Sequence, residues 1–67
     1  MNGKNLQAIR KELGWTQFQL AKVIRVTANT VARWEREERA ITEPMAMLIE
    51  TVYAGEKKLR HVKSRKR

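Results

Sequence analysis

The chain has 67 residues, 42% hydrophobic and 33% charged, with 15 Lys/Arg against 7 Asp/Glu, a formal net charge of +8 and no cysteine. That length holds one small domain around one modest core. Without cysteine, and with His61 as the sole histidine, disulfide staples and a Cys/His metal site are excluded and no cofactor is expected; no apolar run is long enough to cross a bilayer and no signal-peptide pattern opens the chain, so a cytoplasmic setting is expected.

A first helix is predicted from about Lys4 to Leu13, with Asn2 or Asn5 as its cap and Leu6, Ile9 and Leu13 along one apolar stripe. Gly14 ends it, as a residue that tolerates the left-handed conformation common just past a helix. Trp15 is expected to pack in the junction. Thr16 then caps a second helix, and Gln19 three residues on has capping-box spacing. Leu20, Ala21 and Ile24 share the inner face of that helix, whereas Phe18 lies off it, placed to cover the core edge or to meet a partner molecule. After the break at Arg25-Val26, Thr27 caps a third helix reaching to about Arg36.

In that third helix Val31 and Trp34 point one way, while Asn29, Ala32, Arg33 and Arg36 point roughly the other. Amide and guanidinium groups on one outward face have the chemistry for reading base edges in a major groove, Arg on guanine and Asn on adenine. From periodicity alone a plain solvated face serves equally well. Arg10, beside the Leu6 stripe, and Glu35, at the same offset from Val31, are either unrelated surface charges or a partly buried ion pair.

Glu37 to Ile41 reads as a polar loop anchored by Ile41. A further helix starts near Thr42–Pro44, since proline suits a first turn, and Met45, Leu48, Ile49 and Val52 form its apolar face. The methionines read as packing filler. Gly55 is the expected stop, dividing a domain at 1–55 from a basic tail at 56–67 that is a short helix or disordered; Leu59 and Val62 allow only one or two further turns. Residues 57–67 carry seven basic groups and no acid, leaving the first 56 residues with eight basic and all seven acidic groups. Such a block seeks polyanions; lacking a broad apolar face, it fits nucleic acid better than a membrane surface. No catalytic constellation is present: there is no glycine-rich phosphate loop, Glu37-Glu38 is an exposed pair, and His61 lies in the tail.

The stretch from Leu13-Gly14-Trp15-Thr16-Gln17 through Leu20-Ala21, Ile24, Val26 and Val31 to Trp34-Glu35-Arg36 is similar to the helix-turn-helix of the Cro/phage-repressor (Xre-type) DNA-binding family. The resemblance implies an all-α, compact, four-to-five-helix lambda-repressor-like domain with its motif at 16–36. It implies sequence-specific binding of double-stranded DNA by a transcriptional regulator, a repressor by type, with helix 28–36 in the major groove. Carried over by position, Ala28, Asn29 and Arg33 face bases, flanked by Thr27 and Thr30. Gln17 matches the phosphate anchor, and Lys22, Arg25, Arg36, Arg39, Lys57, Lys58 and Arg60 are further phosphate contacts. Arg10 and Glu35 become a structural ion pair.

A homodimer on a two-fold symmetric operator is expected, but the family's fifth helix is curtailed here, so its dimer surface does not carry over. Arg25 stands where the family generally has glycine, so a positive φ there would strain an arginine. Two further readings remain: an antitoxin-type regulator binding both operator and toxin, and a protein-interaction adaptor built on the same fold.

Overall fold

The computed structural model describes the backbone of residues 1–65 and the side chains through Lys58. Four helices follow one another: α1 (Gly3–Leu13), α2 (Gln17–Ile24), α3 (Ala28–Glu35) and α4 (Glu43–Arg65). The domain is thus all-α at the lower of the two expected helix counts, and α2 and α3 form the helix-turn-helix.

Side-chain caps open each of the first three helices. The Asn2 carboxamide accepts the Asn5 N–H at 2.8 Å, so Asn2 rather than Asn5 is the cap. Thr16 and Gln19 exchange bonds in both directions, Gln19 N–H to Thr16 Oγ1 at 3.1 Å and Thr16 N–H to Gln19 Oε1 at 2.8 Å, completing the capping box. Thr27 Oγ1 accepts the Thr30 N–H at 3.1 Å.

The same three helices each end on a left-handed residue: Gly14 (φ 74°), Arg25 (φ 64°) and Glu37 (φ 63°). Each turn returns a backbone N–H to a carbonyl five residues back, Trp15 to Arg10 at 3.1 Å, Val26 to Ala21 at 2.9 Å and Glu38 to Arg33 at 2.9 Å. These are Schellman-type closures that satisfy otherwise orphan carbonyls. Only Gly14 adopts this conformation without strain; at Arg25 and Glu37 the side chain costs about 1–2 kcal/mol each.

Leu6, Leu20, Val31 and Ile49, one from each helix, are completely buried and meet in a single core with Ala21, Ile24 and Trp34. Each such aliphatic side chain contributes about 1.5–3 kcal/mol by leaving water. Trp15, Val26, Ile41, Met45 and Val52 pack around this centre, half-buried. Leu48 departs from the expected inner face and is 40% exposed, with Ala46 buried in its place. The face of α4 centres on Ile49, and Leu48 lies about 100° around the helix from it.

The N-terminus of α1 rests on the end of α3. A Cβ at Gly3 would collide with the Trp34 carbonyl oxygen and lie 2.7 Å from that of Glu35. Glycine is therefore required there for a close approach of two backbones.

Gly55 does not stop α4, contrary to the sequence expectation; the helix spans 23 residues through it to Arg65, about 35 Å at the usual rise. Nothing lies within 4 Å of a Cβ at residue 55, and a glycine inside a helix costs only about 1 kcal/mol. Contacts from α1 span the glycine. Glu12 accepts the Tyr53 hydroxyl at 2.8 Å with one oxygen and pairs with Lys57 Nζ at 3.2 Å through the other. One carboxylate thus holds both sides of residue 55, and the Lys57 ammonium also lies 5.4 Å from the Tyr53 ring centroid. The expected roles of Leu59, His61, Val62 and the last two residues fall outside the described side chains. No helix among the described residues is long and apolar enough to cross a membrane.

Candidate nucleic-acid interface

Two fixed points hold α3 against the rest of the domain. Its inner face buries Val31 and Trp34. Its C-terminal turn carries Glu35, whose carboxylate receives the Arg10 guanidinium in a fork, Nε to Oε2 at 2.6 Å and Nη2 to Oε1 at 3.1 Å. Side-chain exposure is 12% for Arg10 and 3% for Glu35, so the two charges form a partly buried pair rather than separate surface groups. The remaining Arg10 nitrogen, Nη1, donates to the Trp15 carbonyl at 2.8 Å. Gln17 Nε2 donates to Glu35 Oε1 at 3.0 Å.

This cluster ties α1, the turn after it, the start of α2 and the end of α3 together. Burial alone would raise the Glu35 pKa. The hydrogen bonds from Arg10 and Gln17, with the charges of Arg10 and Lys11, outweigh it and hold the carboxyl below its ordinary value.

The outward face of α3 is populated as the helical period predicts, except at Ala32. Asn29, Arg33 and Arg36 are exposed, while Ala28, Thr30 and Ala32 are half-buried. Asn29 and Arg33 make no side-chain hydrogen bond among the described residues, leaving their amide and guanidinium groups available for donor and acceptor patterns outside the protein. Thr27 is partly committed: beyond capping α3, its hydroxyl lies 2.9 Å from that of Thr30. Arg36 is the residue after the last helical turn rather than part of it.

Several expected phosphate contacts already hold partners within the protein. The Gln17 amide is oriented by Glu35, although a side-chain amide has a second N–H and a carbonyl to spare. Arg36 pairs with Glu38, Nε to Oε2 at 2.9 Å and Nη2 to Oε1 at 3.4 Å. Lys57 is held by Glu12, whose hydrogen bond and charge raise the lysine pKa. Lys22 extends along Phe18, its ammonium 5.9 Å from the ring centroid, and Phe18 itself is 64% exposed. Arg25, Arg39 and Lys58 are exposed. The Arg60 side chain lies outside the described residues.

Sequence reasoning missed the acids. Glu12 and Glu38 each neutralise a cation that periodicity alone left facing solvent, and Glu37 accepts the Gly3 N–H at 3.2 Å. The Arg36–Glu38 pair had a faint signal, opposite charges two residues apart, but it forms only because the chain reverses at Glu37. Glu12 and Lys57 are 45 positions apart and left no signal.

A helix-turn-helix family model matches residues 6–56, well over half of the chain. No curated protein and no solved structure matches it significantly. With the capped α2–α3 pair, the buried Arg10–Glu35 fork and the outward Asn29 and Arg33 in place, that match makes this chain a member of the Cro/Xre-type helix-turn-helix family, a DNA-binding regulator acting on double-stranded DNA.

Proposed function

We propose that the protein is a transcriptional repressor that binds a specific duplex sequence by placing the N-terminal half of α3 in the major groove. The observation that carries this reading is the exposed, uncommitted pair Asn29 and Arg33 on a helix whose opposite face is locked into the core. In this reading Arg33 pairs with a guanine, Asn29 with an adenine, and Ala28 touches a thymine methyl, with Thr27 and Thr30 at the flanks. Gln17 uses the spare half of its amide on a phosphate at the N-terminus of α2. Lys22, Arg25, Arg36, Arg39, Lys57, Lys58 and Arg60 supply further backbone contacts, and the site of action is the cytoplasm. A domain this small reads enough sequence by binding as a homodimer to two half-sites about one helical turn apart.

Selection from a random duplex library at near-physiological salt tests the proposal. Enrichment of a two-fold symmetric motif with half-sites about 10 bp apart supports it. A single asymmetric half-site points to a monomer, or to assembly with another protein as in an antitoxin. Salt-sensitive binding with no enrichment overturns it in favour of the adaptor reading.

A further inference from the structure

The left-handed turn at Glu37 has an electrostatic consequence. It reverses the chain just past α3, and the Glu38 N–H is bound to the Arg33 carbonyl at 2.9 Å. Glu38 is thereby held at the last turn of α3. Its carboxylate meets the Arg36 guanidinium at 2.9 and 3.4 Å, and the Arg36 hydrogen bond and charge, with a smaller contribution from the charge of Arg33, lower its pKa.

This placement does little for stability. The two side chains are 58% and 53% exposed, and an ion pair so open to water contributes little. An acid at the C-terminal end of a helix also opposes the helix dipole. Its effect on an approaching polyanion is direct: a phosphate reaching the Nε/Nη2 edge of Arg36 must displace a carboxylate already seated there, and one reaching Nη1 meets that carboxylate's repulsion.

We propose that Glu38 is a built-in counter-anion for the DNA face, occupying Arg36 in the free protein, competing with duplex phosphates for that guanidinium and lowering the affinity of α3 for DNA of any sequence. Recognition then leans more heavily on the base contacts of the N-terminal half of α3. This inference rests on the reading that the outward face of α3 meets DNA.

The test is a titration of a fluorescent mixed-sequence duplex by anisotropy over a series of salt concentrations, with the full chain and its variants. Glu38→Gln releases Arg36 for one additional phosphate. The salt slope should steepen by about 0.9, which, extrapolated from 1 M, is about fivefold tighter binding at 0.15 M salt. In an Arg36→Ala background the same substitution should give no gain. Thermal unfolding of Glu38→Gln should match the parent, confirming that the fold is intact.

Unchanged affinity and slope in Glu38→Gln would overturn the inference, as would a gain that persists without Arg36. Asn29→Ala and Arg33→Ala, titrated on the library-selected duplex, separate this failure from that of the groove reading. If both leave binding unaltered, the groove reading falls and the counter-anion with it. If they weaken binding while Glu38→Gln changes nothing, only the counter-anion is wrong.

Discussion

Replacing Arg10 by methionine probes the cluster that sets the position of α3. In the native protein Glu35 is 3% exposed and receives two bonds from Arg10 and one from Gln17. Without the guanidinium the carboxylate keeps only the neutral Gln17 amide as a hydrogen-bond donor, with the Lys11 charge as its remaining electrostatic support. Stranding one member of a buried ion pair costs about 3–5 kcal/mol. At about 0.05–0.15 kcal/mol per residue, a domain of this size is stable by only ~3–10 kcal/mol in total. The substitution should therefore consume between about a third and all of the folding free energy, lowering the melting temperature by about 12–40 °C at 4–8 °C per kcal/mol.

Urea and thermal unfolding, followed by circular dichroism and by the fluorescence of Trp15 and Trp34, would measure the loss. The double variant Arg10→Met/Glu35→Leu removes both charges and should recover most of it, because a buried pair contributes far less than an orphaned ion costs. A single-variant cost below about 1 kcal/mol, the value of an exposed pair, would refute the reasoning. So would a double variant no more stable than the single one.

Three other outcomes follow from the geometry. The Glu35 carboxyl is held below its ordinary value of 4.5, so its contribution to stability is complete above that pH and is lost as pH falls through the depressed native value; acid unfolding of the parent should show this loss, and Arg10→Met should flatten it. Arg25→Gly should raise stability by roughly 1 kcal/mol in urea unfolding, because glycine relieves the φ of 64° at a position with an exposed side chain. Gly3→Ala should lower stability by about 1–3 kcal/mol in the same assay, since its methyl would press on two carbonyl oxygens of α3 that cannot rotate away.

Much of this molecule is legible in its sequence. Local signals account for that part: Thr16 with Gln19, Thr27, and Gly14 mark helix ends through bonds made within a few residues. The 3.6-residue period placed Leu6, Leu20, Val31 and Ile49 inside, and Asn29 and Arg33 outside. The Arg10–Glu35 pair was suggested by wheel offsets, but choosing between a pair and two separate charges required α1 and α3 to be set side by side.

Other features only tertiary structure decided. Gly55 reads as a stop because propensity is a local quantity, yet α4 continues through it, with Tyr53 and Lys57 bonded to a carboxylate on another helix. Leu48 fits a periodic stripe, but the stripe is wider than the contact, and the setting of α4 against α1 leaves that residue outside. The engagement of Arg36 and Lys57 by Glu38 and Glu12 is likewise absent from any periodic pattern. Caps and periods are written in neighbouring residues, whereas which of these charges meet depends on where distant segments come to rest; a charge pair between separate elements, unlike one within a helix or a buried apolar stripe, leaves no regular spacing in the chain.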